Sequence, residues 1–480
     1  MSQQTAAPAP GAALDPQLKR IAAALITGAI AVILDTTIVS VAIHELGNEL
    51  DASVSTIQWV STAYLLAMFV AIPITGWAQS RVGGKRLWLA ALTLFLVGSA
   101  LCAFAWNIES LIVFRVVQGL GGGVMLPLMT TLLIQAAHGQ NLGRLMAAVS
   151  LPAALGPILG PVIGGLILNY LSWPWLFLVN IPLCVVGLVL AVRLLPSDSA
   201  AARRVPLDLV GLLLISPGVV GVIYGLSQVG GEGGFGRTDV LAPLLAGIAL
   251  LAAFTAWSVH AGDRALVDVR LFGHRALTSS SALLFLAGLG LYGSMLLLPL
   301  YWQEVRGEDA LGAGLLLIPQ GVGALASRSL AGRLTDSIGG RWVAVAGFAV
   351  LAVATIPFAM VTSTTSNWLL MGALFVRGLG FGAVTIPLMT GAYVGLERDE
   401  VPHASIITRV AMQLGGSFGV AVLAVILASN AAGATSVSGV ADAFDVAFWW
   451  AIGFTVLAVG LSFLLPARPA RAEVSAPPAR

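Results

Sequence analysis

The chain has 480 residues, of which 58% are apolar and only 10% are charged, and its formal net charge is +2. Soluble globular proteins carry about 45–50% apolar and about 25% charged residues, so this composition excludes that class, together with collagens and disordered tails. The small net charge and the dispersed basic residues argue against nucleic-acid binding.

Fourteen apolar segments along the chain are long enough to cross a bilayer, which takes about 20 residues. Segments of this length satisfy their backbone hydrogen bonds in lipid only as helices, so the sequence predicts an all-α polytopic membrane protein. The predicted spans are 21–43, 57–78, 87–105, 108–136, 145–169, 175–195, 208–229, 240–260, 277–302, 310–331, 342–361, 368–392, 405–429 and 443–465.

The basic residues predict how these spans are oriented. Of the 24 lysines and arginines, eighteen fall in the tails and in one alternate set of loops, two fall in the other set, and four lie inside spans. Because cytoplasmic loops carry the excess of basic residues, both termini are predicted to be cytoplasmic.

An internal repeat predicts the domain organisation. Residues 124–130 (VMLPLMT) return as residues 384–390 (VTIPLMT), an offset of 260. This offset separates equivalent points by six helices plus two more, so we predict two six-helix bundles joined by an extra helix pair, the layout of a secondary transporter. The predicted division is an N-terminal tail 1–20, an N-terminal bundle 21–195, a linker 196–276 with two extra transmembrane helices, a C-terminal bundle 277–466 and a C-terminal tail 467–480.

Asp35 lies deep in the first span, where an aspartate costs at least about 2.5–3.5 kcal/mol on insertion scales. The default interpretation is therefore functional, and the alternative is a salt-bridged carboxylate that only fixes packing. Arg115 in the fourth span is the natural partner, because each residue lies about eight positions from the outer end of its span (35 to 43 and 107 to 115), about 12 Å deep. A carboxylate whose arginine can move away, or be competed for by a cationic ligand, can bind and release a proton. Proton coupling requires this property.

The fifth span combines a glycine stripe with two prolines. Its members are Gly156, Pro157, Gly160, Pro161, Gly164 and Gly165. Glycines at four-residue spacing let another backbone approach closely, and the prolines would bend the helix or let it occupy two states. Spacing alone leaves a gating role and simple tight packing equally open.

The loop after the second span and its repeat counterpart are rich in glycine and charge. Glycine allows a tight turn there, and the charges can bridge neighbouring helix ends and latch one conformation. The alternative is that these charges only set the topology. The residues are Gly76, Arg81, Gly83, Lys85 and Arg86 in the first half and Gly332, Asp336, Gly339 and Arg341 in the second.

Other signals do not support a cofactor, a metal or an enzyme. The glycine pattern at 288–293 lies in mid-membrane without a preceding strand, and no phosphate loop or ATP site is visible. The two cysteines, Cys102 and Cys184, lie in apolar runs and indicate no metal site. Arg377 is the other deep charge, able to orient the second bundle or line a cavity, whereas Arg328 and Arg409 are expected to snorkel to the cytoplasmic side.

Taken together, the motifs resemble the fourteen-helix drug:proton antiporters of the major facilitator superfamily, over nearly the whole chain. The matching segments are Leu34-Asp35-x-Thr37, Gln58-Trp59-Val60, Tyr64-Leu65, Arg115-x-x-Gln118-Gly119, Gly156 to Gly165, Trp173 to Pro182, Asp208-x-x-Gly211 and Tyr301-x-Gln303. The resemblance implies the major facilitator fold, a role in proton transfer for Arg115, and an antiport role for the glycine and proline motif. We expect the substrate cavity to include Asp35, Gln118, Trp59, Tyr64 and Arg377.

The leading hypothesis is proton-driven efflux of amphipathic, cationic small molecules across the cell membrane by alternating access. The expected partners are the substrate, protons and lipid, with no nucleic acid and a monomeric chain. One alternative is a dedicated exporter of a single endogenous metabolite or antibiotic. Another is a non-transporting membrane sensor or assembly factor on the same fold.

Overall fold

A computed structural model describes residues 15–42, 46, 49–50, 54–137, 145–146, 156, 160, 163–198, 206–229, 234–308, 310–360, 365–397, 399–432 and 436–466. Within these ranges the regular secondary structure is helical and contains no strand, which confirms the all-α fold class.

Capping residues and prolines mark the ends of several N-terminal helices. They are α1 (Pro16–Val41), α2 (Val54–Ala71), α3 (Ile74–Val82), α4 (Gly84–Ala103), α5 (Ile108–Ala137), α6 (Trp175–Leu178) and α7 (Asn180–Leu194). Asp15 caps α1 by accepting a hydrogen bond from the backbone of Gln17 at 3.3 Å, and Pro16 occupies the first turn, where no N–H is needed. Pro73 sits at the break between α2 and α3, which bend by 55°. In this half α5 packs against α2 and α4, and α1 packs against α7.

The C-terminal helices repeat this arrangement. They are α10 (Arg275–Leu300), α11 (Ala310–Leu316), α12 (Ile318–Ile338), α13 (Gly340–Thr355), α14 (Asn367–Gly391), α15 (Val401–Ala431) and α16 (Val437–Ser462). Here α14 packs against α12 and α13, as α5 does against α2 and α4, while α10 packs against α15.

Two helices connect these groups, α8 (Leu209–Ser227) and α9 (Thr238–Ala261). Asp208 caps α8 by accepting from the backbone of Gly211 at 2.8 Å, and it also accepts from the indole of Trp257 in α9 at 2.9 Å. α8 packs against α9 and also against α2 and α15, so it touches both groups of helices.

Eleven of the described helices are long and apolar enough to cross a membrane, or twelve if the bent pair α2–α3 counts as one span. Of the remaining predicted spans, 145–169 falls largely outside the described residues, and 310–331 covers α11 and the first part of α12, a helix that is less apolar than those eleven. The count of fourteen, the cytoplasmic termini and the predicted domain division therefore stay predictions.

Candidate functional site

A buried carboxylate–guanidinium pair joins α1 to α5. The Nη1 of Arg115 donates to the Oδ2 of Asp35 at 2.5 Å, and the two side chains are 1% and 0% exposed. The structure thus brings together the two residues that the sequence places at matching depth. A charge buried to this degree is costly unless it is paired and hydrogen-bonded.

Two amide side chains complete the surroundings of this carboxylate. Its Oδ1 accepts from the side chain of Gln118 in α5 at 2.9 Å and from that of Asn180 in α7 at 3.0 Å. Both amides also donate to the hydroxyl of Ser99 in α4, each at 3.1 Å, and this hydroxyl donates to the carbonyl of Phe177 at 3.0 Å. The carboxylate on α1 is therefore held by donors from α5 and α7, with α4 supporting both amides.

Arg115 keeps neutral partners besides the carboxylate. Its Nε donates to the backbone carbonyl of Val60 in α2 at 3.1 Å, and its Nη1 also donates to the amide oxygen of Gln118 at 2.7 Å. Its guanidinium lies 3.9 Å from the centre of the Tyr64 ring, within the range of a cation–π contact. The guanidinium would keep these contacts if the carboxylate became neutral.

Gln118 and Tyr64, which the sequence predicts to line a substrate cavity with Asp35, lie in the cluster around it, and their role in a cavity stays a prediction. Ser99 and Asn180 were not singled out by sequence reasoning. Asn180 lies in the motif running from Trp173 to Pro182, which was its one available signal. Ser99 gave none, because a lone serine within an apolar helix bonds most simply to its own backbone.

Trp59 and Arg377 lie apart from this cluster. The Trp59 side chain is 41% exposed, and its ring stacks against Tyr224 of α8 with centroids 6.1 Å apart. Arg377 is buried in the C-terminal helices, where its hydrogen-bond partners are Ser294, Gln320 and Thr355.

The glycine stripe packs against α1 on either side of Asp35. A Cβ added at Gly156 would lie 2.6 Å from the side chain of Ile33, and one added at Gly160 would lie 2.0 Å from the Thr37 hydroxyl. That hydroxyl donates to the carbonyl of Gly156 at 3.0 Å. Gly164 is buried, Gly165 has open space around it, and Pro157 and Pro161 lie outside the described residues.

The basic side chains of the two glycine-rich loops form hydrogen bonds within their own groups of helices. The Nζ of Lys85 donates to the carbonyls of Val192 and Leu195 at the end of α7, at 2.7 and 2.8 Å, and the Nε of Arg341 donates to the carbonyl of Leu465 after α16, at 2.7 Å. A cation at these positions satisfies carbonyls that a helix end leaves free. Each loop therefore ties the start of one helix to the end of another in the same group.

Glycine is required at the turn of each loop. Gly83 and Gly339 have φ values of 95° and 91°, which other residues adopt only with strain. In the first loop, Asp198 accepts from the backbone amides of Lys85 and Arg86 at 2.8 and 3.1 Å, at the start of α4.

The remaining loop residues lie along helix ends. Arg81 in the last turn of α3 has its guanidinium 5.8 Å from the Trp77 ring. Gly332 is buried in α12, and Asp336 follows it near the end of the same helix.

The two groups of helices also touch each other on the predicted cytoplasmic side. A Cβ at Gly76 in α3 would lie 3.3 Å from Pro402 in α15, and the Thr131 hydroxyl of α5 donates to the Ser405 hydroxyl of α15 at 3.0 Å. Beside this contact lies a cavity of about 970 Å³ whose lining includes Lys85 and His403. The contact joins α3 and α5 of the N-terminal helices to the start of α15 in the C-terminal helices.

Comparisons with known proteins agree on the class of molecule. The sequence model of the Major Facilitator Superfamily matches residues 25–420. The chain is 37% identical over 416 residues to a multidrug resistance protein B homolog of Mycobacterium tuberculosis, covering 86% of this chain and 77% of that one. It is 32% identical over 389 residues to the multidrug export protein EmrB of Haemophilus influenzae, covering 81% and 76%.

Among solved structures, the chain is similar in fold to a double tryptophan mutant of XylE. The TM-score is 0.67 at 15% identity, with 95% of this chain and 97% of that chain covered. The human organic anion transporter MFSD10 aligns with a TM-score of 0.63, also at 15% identity, covering 93% and 100%.

Proposed function

The chain belongs to the major facilitator superfamily, within its drug:proton antiporter family, and on that premise we propose that it exports amphipathic, cationic small molecules in exchange for protons. It is a multi-pass cell-membrane protein of a family that transports small molecules. The observation that carries the proposal is the fully buried Asp35–Arg115 pair.

Asp35 is the proton carrier in this mechanism. When the carboxylate is ionised, Arg115 neutralises it and the amides of Gln118 and Asn180 bond to its other oxygen. When a proton binds, the attraction to Arg115 is lost, and the arginine is retained by the Val60 carbonyl and the Tyr64 ring. A cationic substrate competes with Arg115 and with the proton for the same carboxylate, which is the exchange that antiport needs.

The glycine stripe links this carboxylate to helix movement. Ile33 and Thr37, which contact Gly156 and Gly160, are each two residues from Asp35 on α1. A change in the position of the fifth span therefore acts on the segment of α1 that carries the proton. The contact between Gly76 and Pro402 closes the predicted cytoplasmic side while the proton site sits nearer the outer end of α1.

The proton gradient can drive export. One proton moving inward at about 150 mV releases roughly 3.5 kcal/mol, which supports a several-hundred-fold gradient of a solute without net charge. When a monovalent cation is exchanged for one proton, the membrane voltage cancels and the pH difference drives export. Because the proton gradient supplies the energy, the proposal includes no cofactor and no ATP site. It also treats the chain as a monomer without enzymatic activity.

The decisive experiment replaces Asp35 by Asn in proteoliposomes and measures substrate-stimulated proton movement with a chemically diverse panel of dyes and drugs. Asn keeps the shape of the side chain and one accepting oxygen but cannot carry the proton, so the variant should insert and fold, yet show no coupled transport.

A matched control is Asp239→Asn. Asp239 is also paired with an arginine, Arg237, but both side chains are open to solvent, at 50% and 36% exposure. This control should transport like the wild type. Coupled efflux at the wild-type rate from the Asp35→Asn variant would overturn the proposal.

A further inference from the structure

A second buried polar cluster lies in the C-terminal helices, at positions that repeat those around Asp35. α1 and α10 each have 26 residues, and Asp35 and Ser294 occupy the same position in them. Gln118 and Arg377 occupy the same position in α5 and α14. Ser99 in α4 likewise corresponds to Thr355 in α13.

The repeat keeps the polar scaffold but changes its charges. Arg377 donates through Nε to the Thr355 hydroxyl at 3.2 Å, through Nη1 to the Gln320 side chain at 2.7 Å, and through Nη2 to the Ser294 hydroxyl. All three acceptors are neutral. The carboxylate present at Asp35 has become a hydroxyl at Ser294, and the amide of Gln118 has become a guanidinium.

The buried charges of the described residues are consequently out of balance. They comprise one acid, Asp35, and three arginines, Arg115, Arg328 and Arg377. Arg115 is paired with the acid, so two buried cations remain without a carboxylate among the described residues, and both belong to the C-terminal helices.

Arg328 was expected to snorkel, and this expectation is wrong. Only 4% of the residue is exposed, and its Nε and Nη1 have no hydrogen-bond partner within the described part of the chain. It lies eight residues beyond Gln320 on α12, about 12 Å along the helix. Since Gln320 bonds to Arg377, the two buried arginines are arranged along the contact between α12 and α14.

We propose that Arg377 is a binding site for the carboxylate of the transported molecule, so that the preferred substrates are amphiphiles that carry a carboxylate beside their cationic group, with Arg328, about 12 Å along α12 from Gln320, adding positive potential from a distance. The substrate's cationic group engages Asp35 in the N-terminal helices, and its carboxylate engages Arg377 in the C-terminal helices. This inference rests on the proposed transport function and specifies its substrate class.

Electrostatics supports this assignment over a purely structural role. A buried guanidinium without an opposite charge carries a large desolvation cost, and a structural cation is normally paired with an acid. Ser294 and Thr355 each keep a hydrogen bond when Arg377 moves away, because each hydroxyl also donates to a carbonyl of its own helix, that of Gly290 or Leu351. An arriving carboxylate can displace these neutral acceptors and form the stronger, charge-assisted bonds that arginine makes with anions.

The test uses two dyes that differ only in the charge at issue, a rhodamine with a free carboxylate and its methyl ester. Equilibrium binding of each to the purified protein in lipid nanodiscs is followed by fluorescence anisotropy. Arg377→Gln should weaken binding of the acid by about tenfold or more, the value of one charge-assisted hydrogen bond. Arg328→Gln, which removes a charge about 12 Å along α12 from Gln320, should weaken it less. Binding of the ester should stay within about twofold.

Two further variants sharpen the comparison. Arg377→Lys keeps the charge and should retain most of the preference for the acid, whereas Arg237→Gln removes an exposed arginine that is already paired and should change nothing. Thermal unfolding without dye gives a second readout, because removing an uncompensated buried charge should leave the melting temperature of Arg377→Gln unchanged or higher.

Several results would overturn the proposal: equal loss of both dyes in Arg377→Gln, unaltered binding of the acid, or no binding of the acid to the wild-type protein. Equilibrium binding requires no proton gradient, so these outcomes are independent of whether Asp35→Asn abolishes coupling. Failure of the carboxylate site and failure of the antiport mechanism are therefore separable.

Discussion

The contact between the glycine stripe and α1 leads to a prediction that the structure quantifies. A methyl group at Gly160 would lie 2.0 Å from the Oγ1 of Thr37, 2.6 Å from its Cβ and 3.1 Å from its carbonyl carbon. Because ordinary contacts between heavy atoms lie at about 3.5–4.0 Å, Gly160→Ala must push the fifth span and α1 apart by about 1 Å or more. Overpacking of this kind costs about 1–3 kcal/mol.

The expected result of Gly160→Ala is a lower melting temperature and impaired coupled transport. Transport suffers because Thr37 is two residues from Asp35, and the displacement also strains the 3.0 Å bond from Thr37 to the Gly156 carbonyl. Unfolding can be followed in detergent by intrinsic tryptophan fluorescence, and transport by proton movement in proteoliposomes.

Gly165→Ala is the matched control from the same span. A Cβ at Gly165 has nothing within 4 Å, and alanine is favoured over glycine in a helix by about 1 kcal/mol, so this variant should be as stable as the wild type or slightly more. Identical melting and transport in the two variants would refute the conclusion that the stripe holds α1 closely.

Two other predictions concern the predicted cytoplasmic side. Ser405→Ala removes the hydroxyl that accepts from Thr131 and so weakens the contact between α5 and α15. Such a bond contributes about 0.5–1.5 kcal/mol, so the ratio of molecules open at the predicted cytoplasmic side to molecules closed there should rise about 2- to 12-fold. Spin labels at Val82 and Ile338 would report this as a longer distance, and an unchanged distribution would contradict it. In the loop before α10, partial burial raises the pKa of Asp268, but the hydrogen bonds and charge of Arg270 outweigh this effect and leave that pKa lowered. The pair therefore contributes stability above the pKa of the unfolded chain, about 3.9, and loses it as the pH falls through the lower folded pKa. Asp268→Asn should flatten the acid limb of the melting-temperature profile, and an identical limb would count against the pair.

Depth along a helix can be read from sequence, and this explains what was predictable at the candidate site. Asp35 and Arg115 are equally far from the outer ends of their spans, and a fixed rise per residue converts this into matching depth. Gln118 follows Arg115 by three residues, on the same face of α5, and shares its site. The helical class follows equally directly, because apolar segments in lipid have no other way to satisfy their backbone.

Depth along a helix does not predict which side chains of neighbouring helices contact each other. Ser99, Asn180 and Thr355 are small polar residues in apolar helices, and only the packing of α4, α7 and α13 decides which neighbour each one meets. Arg328 illustrates the same limit: its distance from the helix end allowed it to reach water, but the close packing of α12 against α14 encloses it instead. The depth of a residue depends only on its position along its own helix, whereas its burial depends on every helix packed around it.

The charges in the two related clusters also determine how membrane voltage acts on the proposed exchange. Asp35 is the one buried acid of the described residues, so in this scheme a single proton is carried inward per cycle. If a monovalent cation leaves as that proton enters, no net charge crosses the membrane and voltage does no work. If a zwitterion leaves instead, one net charge moves inward, and the potential contributes about 2.3 kcal/mol per 100 mV to its export. The second cluster has a hydroxyl in place of the carboxylate of the first and an arginine in place of its amide, and this exchange would select the substrates whose export is assisted by the membrane voltage.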